Sequence, residues 1–478
     1  MQLIFDKSRP GRRAASFDAL DVPEHMPPPE FCRSRPPQLP EVSELDVVRH
    51  FSALAHRNFC LDSHPFPLGS CTMKYNPKIG DAVTSHPGFT DIHPHLSSVS
   101  AYLPLCQGAL ELVYETERLL AEIGGLRQVA LQPMAGAHGE LTGILMMAAY
   151  HSHKGNEKDT IVIPDSAHGT NCASAAMAGY KTIEIPSGED GSIHVDAFKS
   201  VLNDSVAGVM LTCPNTHGLF EPAVRELADL AHEVDALMYC DGANLNAIIG
   251  QCRLGDMGFD VVHFNLHKTF ATPHGMGGPG SGPVGVGERL EPFLPGPRVV
   301  KGPEGYHLDM PEKSVGRIAA FFGNFLVAVR AYAYIRHLGD QGLRQISRHA
   351  VLNANYVYAR LKDVYEPAFA SQVMHECVFT AAPLAEKHGV RALDIAKALM
   401  DYGFHAPTIY FPLTVKESLM IEPTETESKE TLDAFCDAMI DIAATAATDP
   451  AILHEAPATM PVGRLDEVRA ARELDCVC

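Results

Sequence analysis

No uninterrupted apolar run in the 478 residues approaches the length of a bilayer span, which excludes a helical integral membrane protein. Basic residues are not in excess: 38 Lys and Arg stand against 58 Asp and Glu, a formal net charge of −20. A surface of that sign repels nucleic acid and anionic membrane, so neither is expected as a partner. The start, Met1-Gln2-Leu3-Ile4-Phe5-Asp6-Lys7, lacks a continuous apolar core and carries an acid early. Neither a secretory leader nor a transit peptide is expected there, and the 12 cysteines read as reduced thiols of a cytoplasmic protein. Cys476 and Cys478 are too tightly spaced for the usual metal clips and read as a frayed tail; no metal is expected. No internal repeat is visible.

What is present is ordinary for a globular protein, with 46% hydrophobic and 20% charged residues. The length exceeds one hydrophobic core, so two or three domains are expected. Residues 1–104 read as an N-terminal extended arm and helical segment. The arm carries Pro10, Pro23, Pro27, Pro28, Pro29, Pro36, Pro37 and Pro40, each fixing φ and removing a donor. A helix is expected after Ser43. Residues 105–314 alternate continuous apolar strands with helices. The strands are expected at 127–132, 160–164, 182–185, 206–212, 236–240 and 261–264, with helices from Gly139 and over 224–234. This pattern argues for an α/β fold with a mostly parallel central sheet covered on both faces. Residues 315–478 read as a smaller C-terminal α/β domain, with a long helix through Phe322 to Tyr332, a strand near Thr408–Phe411 and a last helix through Leu432 and Ile442.

Chemistry-bearing residues fall at successive strand ends, where ligands collect on such sheets. The first strand opens into Gly136-Ala137-His138 at a helix start, suited to a phosphate. The second ends at His168, whose flat ring can stack on a planar group. The third ends in Asn215-Thr216, which can bond a phenolic oxygen. Asp241 closes the next strand, and Asn265-Leu266-His267-Lys268 closes the one after. Lysine at the end of a buried strand is costly without a partner or a covalent task. A strand-end Asp followed by a strand-end Lys suits a pyridoxal phosphate enzyme: Lys268 forms the Schiff base and Asp241 keeps the ring nitrogen protonated. Taken together, these residues point to the aspartate-aminotransferase-like fold of pyridoxal-phosphate-dependent transferases, fold type I. A separate loop, Ser70-Cys71-Thr72-Met73-Lys74-Tyr75-Asn76, offers Ser70, Thr72, Lys74 and Asn76 to a small anionic substrate.

Several longer strings resemble a known family. They are Pro67-Leu68-Gly69-Ser70-Cys71-Thr72-Met73-Lys74-Tyr75-Asn76-Pro77, Asp241-Gly242-Ala243-Asn244-Leu245-Asn246-Ala247, Asn265 to His274, and Met420-Ile421-Glu422-Pro423-Thr424-Glu425-Thr426-Glu427-Ser428-Lys429. With them the chain resembles the glycine cleavage system P-protein, the decarboxylating glycine dehydrogenase, and more closely subunit 2 of its two-subunit bacterial form. The resemblance covers nearly the whole length. It implies pyridoxal 5'-phosphate as cofactor, oxidative decarboxylation of glycine with release of CO2, and transfer of the aminomethyl group to the lipoyl arm of the H-protein. Catalytic roles would fall to Lys268, Asp241 and His168. Ala243 would pack on the ring's other face, Gly136, Ala137 and His138 would hold the phosphate, and Asn215, Thr216 and His267 would complete the cofactor site. Subunit 1 would be required, as two copies of each subunit. The chain departs from the family's pattern at His138, Cys172, Cys213, His217 and Met276, and in its cysteine-bearing tail. Other readings are an amino-acid decarboxylase or aminotransferase on the same fold, or a catalytically silent structural subunit.

Overall fold

The computed structural model describes residues 2–35, 37–274 and 280–474. Two compact units separate, Met1–His64 with Met460–Val462 and Pro65–Thr459 with Gly463–Cys478. In the first, the described residues of the proline-rich stretch form no helix longer than the 3-10 turns Phe5–Lys7 and Pro29–Phe31. The expected helix, Glu44–Ala55, starts at a capping box: the Ser43 hydroxyl accepts the Asp46 N–H, and the Asp46 carboxylate accepts the Ser43 N–H.

The second unit is built on a seven-stranded sheet. Its strands are β1 (Gln128–Ala130), β2 (Thr160–Pro164), β3 (Lys181–Ile185), β4 (Val206–Thr212), β5 (Leu237–Gly242), β6 (Val261–Phe264) and β7 (Val284–Val286). The spatial order is β1-β7-β6-β5-β4-β2-β3. All pairs are parallel except the two made by β7, which runs against both neighbours. Strand residues alternate between two cores. Val209, Leu211, Met238 and Cys240 join one, and Met210, Leu237 and Tyr239 the other. Both faces are therefore covered, which is why these strands read as continuous apolar runs.

A hairpin of β8 (Arg298–Gly302) and β9 (Gly305–Asp309) follows. Two helical stretches meet at Gly339, whose φ of 62° and ψ of −173° break the segment Phe325–Leu361. The C-terminal part carries an antiparallel sheet in the order β10 (Glu366–Pro367), β11 (Cys377–Thr380), β13 (Ser418–Ile421), β12 (Thr408–Ile409). The strand expected over Thr408–Phe411 stops at Ile409, because Tyr410 takes a left-handed φ of 59° and leaves the ladder. The first of the expected helices begins three residues early, at Gly136, so the small-residue turn is itself the first helical turn.

Helix Gln107–Gly124 buries Glu117, whose carboxylate accepts Gln128 Nε2 at 3.4 Å. Burial pushes its pKa up to about 8, against the opposing pull of Arg298. A carboxyl pKa raised on folding stabilises fully below the unfolded value and loses that contribution as pH climbs through the folded one. Glu117→Gln, a neutral isostere, should therefore match the wild type in melting temperature near pH 5. Its advantage should grow steadily to pH 8; a pH-independent difference in calorimetric scans would refute a buried proton on Glu117.

Candidate active site

The carboxyl ends of β1, β2, β4, β5 and β6 open on one side of the sheet. The polar cavity there has a volume of about 360 Å³. Of the residues singled out in the sequence, Gly136, Ala137, His168, Thr216, Asp241, Ala243, His267, Lys268 and Ser70 line it. Lys268 lies in the turn after β6, half-buried, its N–H donating to the Asn265 carbonyl at 3.0 Å. Parallel pairing of β5 with β6, in which Asp241 faces His263, puts the carboxylate one strand away.

Asp241 is held firmly. Its Oδ1 accepts the Ala243 N–H at 2.9 Å, and His263 Nε2 lies 3.3 Å from the same atom. On the far side of that imidazole the Tyr239 hydroxyl is 2.6 Å from His263 Nδ1. Burial drives the Tyr239 hydroxyl well above its ordinary pKa, so it stays a donor, and burial lowers the His263 imidazole. With Nδ1 accepting from Tyr239, the single proton of a neutral His263 sits on Nε2, aimed at Asp241.

His168 both lines the cavity and caps a helix: its Nδ1 accepts the Thr170 N–H at the start of Gly169–Met177. Its pKa is lowered by burial. His267 is held down to about 3 by burial and by Lys268 beside it, so it too is neutral. At the helix start Gly139 makes the first helical bond, to the Ala135 carbonyl, which leaves the N–H groups of Gly136, Ala137 and His138 free of intrahelical acceptors. The turn is tight by construction. A Cβ on Gly136 would sit 2.6 Å from Asn265 Oδ1, and one on Gly282 would sit 2.0 Å from the Ala135 carbonyl oxygen. The His138 side chain turns back from the cavity to accept the Met134 N–H at 3.2 Å, so only its backbone faces an anion at the helix start.

Four of the expected residues do not line this cavity. Asn215 is spent on backbone groups: its amide donates to the Gly191 carbonyl at 3.0 Å, and its Oδ1 accepts the N–H groups of His217 and Leu219 in its own turn. Thr72 is buried against Glu422, accepting no part in the cavity wall. Lys74 is 1% exposed and paired with Glu425 at 2.7 Å, with Asn246 Oδ1 at 2.9 Å. Asn76 donates to the Lys74 carbonyl at 3.1 Å. Of the Ser70–Asn76 loop residues proposed for a substrate, Ser70 alone reaches the cavity. Met276 and the Cys476/Cys478 tail lie outside the described residues.

Because burial alone would pull Lys74 down, it is Glu425 that keeps the amine charged. Glu425→Ala should leave that charge buried and unpaired, costing about 3–5 kcal/mol, whereas Lys74→Met combined with Glu425→Leu should restore much of the loss. Denaturant midpoints of the three proteins check this; a double variant as weak as the single one would refute it.

Sequence reasoning passed over several lining residues: Glu140, Thr170, Thr212, Asn244, His263 and Asn265, with Cys71 and Phe411. Two left a signal. His263 is a lone imidazole within the buried run Val261–Phe264, and Glu140 stands one helical turn after Gly136, on the same face. Glu140 is buried, accepts the Thr170 hydroxyl at 2.8 Å, and has its pKa pushed up to about 7 by burial and then by Asp241.

A family model described as glycine dehydrogenase, C-terminal domain, matches residues 346–452. A probable glycine dehydrogenase (decarboxylating) subunit 2 of Caldanaerobacter subterraneus subsp. tengcongensis is 55% identical over 98% of this chain and 97% of its own length. A protein of the same name from Chlorobium chlorochromatii is 53% identical over 100% of this chain and 99% of its own. The chain belongs to this subunit 2 family. Among solved structures, a glycine decarboxylase (P-protein) of the glycine cleavage system, in inhibitor-bound form, superposes with a TM-score of 0.72 at 22% identity, covering 87% of this chain and 93% of that one. A cysteine desulfurase from Thermococcus onnurineus NA1 gives 0.62 at 17% identity, covering 80% and 95%. At those identities the two share the fold with the subunit 2 chain. No helix among its described residues is long and apolar enough to cross a membrane.

Proposed function

We propose that this chain is the lysine-bearing subunit of a cytoplasmic glycine decarboxylase that uses pyridoxal 5'-phosphate, releases CO2 and passes the aminomethyl group to the lipoyl arm of an H-protein. It would work with subunit 1, as two copies of each. The observation that carries the reading is the convergence of Lys268, Asp241 and His168 on one cavity, in a chain 55% identical to a named subunit 2.

The cavity suits the cofactor on its own terms. Thr212 Oγ1, Asn244 Oδ1 and Asn265 Oδ1 are buried atoms of lining residues without hydrogen-bond partners among the described residues, which suits a polar guest. The cradle at Gly136 admits no side chain. Lys268 would hold the cofactor covalently, the N–H groups of Gly136, Ala137 and His138 its phosphate, and His168 and Ala243 the two faces of its ring. Thr216 and His267 border it. When bound, the pyridinium ring supplies an electron sink for the pair left behind by the departing carboxylate.

The chain's own groups do the rest. Asp241, fixed by Ala243 and His263, lines the cavity with its carboxylate and so favours a cationic partner there. Glu140, beside it, retains a proton near neutrality and adds no second full charge. The Lys268 amine would take up the protons that the substrate amine gives up on binding. Ser70 and Cys71 close the wall on the substrate side. Exchange of labelled bicarbonate into the glycine carboxyl, run with and without subunit 1 and lipoylated H-protein, tests the assignment. Exchange is expected only with all components; exchange by the chain alone at full rate would end the requirement for subunit 1, and none under any condition would end the assignment.

A further inference from the structure

Strands β11 and β13 pair antiparallel with Cys377 opposite Ile421. One step along that register, Glu376 and Glu422 face each other, and both are 0% exposed. Two opposed carboxylates in a dry interior repel strongly unless something neutralises one of them. Their outer oxygens are taken. Glu376 Oε2 accepts the Ser70 N–H at 2.7 Å, Glu422 Oε2 accepts the Thr72 N–H at 2.8 Å, and Glu422 Oε1 accepts the Thr72 hydroxyl at 2.6 Å. Among the described residues Glu376 Oε1 has no hydrogen-bond partner, nor has either nitrogen of the equally buried His375, whose Nε2 is 3.7 Å from it.

All three donors come from one short loop. Ser70 and Thr72 hold left-handed φ values of 62° and 48°, a strained conformation for non-glycine residues. Gly69 is locked in as well, since a Cβ there would stand 2.7 Å from the Met420 carbonyl oxygen. Gly69, Ser70 and Cys71 form the cavity wall facing Lys268.

We propose that Glu376 and Glu422 share a single proton and act as positioning residues, clamping the strained Gly69–Thr72 loop so that Ser70 and Cys71 face Lys268. The pair's surroundings fit one proton rather than none or two. Lys268 from the β6 turn favours one ionised member, while Glu425, beyond β13, disfavours a second charge; Lys74 is already committed to Glu425. His375 is neutral, held down to about 3 by burial, and His217, on the neighbouring turn, is held down to about 4. Burial raises Glu376 well above the usual carboxylate range and Glu422 to about 7, and the two carboxylates help keep the Cys71 thiol protonated. The Glu376–Glu422 clamp rests on the active-site reading only for its purpose; the clamp itself is tested without turnover.

Infrared difference spectra of the holoenzyme with subunit 1, at neutral pH, count protonated carboxyls in the wild type, Glu376→Gln, Glu422→Gln and the double variant. One shared proton requires the double variant to lose one carboxylic-acid band and no more. Loss of two in the double, loss of none in any, or a stoichiometric divalent cation found by elemental analysis would overturn the proposal, the last because His375, Glu376 and Glu422 offer ligand atoms within 4.8 Å of one another. Positioning is read separately, from the rate of Cys71 alkylation followed by peptide mass spectrometry. Glu422→Ala removes both Thr72 acceptors and should raise that rate about tenfold, with the KM for glycine rising more than kcat falls. Unchanged Cys71 reactivity would refute the clamp; if Glu422→Ala does not fold, Glu376→Ala, which frees only the Ser70 N–H, supplies the same measurement. Failure of glycine exchange in the wild type leaves both the band count and the alkylation rate interpretable.

Discussion

Lys268→Ala should lower labelled-bicarbonate exchange by roughly a thousandfold or more, because it removes the covalent anchor and the proton-transferring amine together. The residue is half-buried in the turn after β6 and belongs to no hydrophobic core, so the fold should survive the change. The melting temperature of the variant then separates lost chemistry from lost structure. Borohydride treatment of the wild type should attach the cofactor to a single peptide containing Lys268, and the variant should show no such adduct. An active Lys268→Ala enzyme, or a label on another lysine, would displace Lys268 from the mechanism. Lys74 is the natural control: it is also a buried lysine, yet Glu425 and Asn246 occupy its amine.

The second large effect concerns charge rather than attachment. Asp241→Asn keeps an oxygen for the Ala243 N–H but removes the negative charge facing the cavity. Exchange should fall roughly 10²- to 10³-fold, as for the loss of one pre-organised electrostatic partner, and Asp241→Glu should fall less. The pair His263 and Tyr239 sharpens the test. His263 Nε2 points its proton at Asp241 only while Tyr239 donates to Nδ1, so Tyr239→Phe should weaken catalysis modestly through Asp241 and do nothing further in the Asp241→Asn background. Additive losses in that double-variant cycle would show that the buried tyrosine acts elsewhere. An Asp241→Asn enzyme as active as the wild type would remove the ion-pair argument altogether.

The sequence alone determined the parallel part of the sheet, because a strand covered on both faces is apolar at nearly every position, as Val206–Thr212 and Val261–Phe264 are but for Thr212 and His263. It likewise determined the strand-end placement of His168, Asp241 and Lys268, since the chemistry follows directly where such runs stop. Short and irregular elements escaped it. Three-residue β7 runs antiparallel between β1 and β6 and leaves no periodic pattern, and nothing in the expected strand at Thr408 announces the left-handed Tyr410 that ends β12 at Ile409. Only the tertiary structure decided which side chains of a recognised string face the cavity. Asn215 and Lys74 have the right chemistry, but backbone groups of Gly191 and of its own turn claim the first and Glu425 the second. Glu140, Glu376 and Glu422 are far apart along the chain from the groups that give them meaning. A carboxylate's role depends on what faces it and how little water reaches it, and both are properties of packing, which no local spacing records.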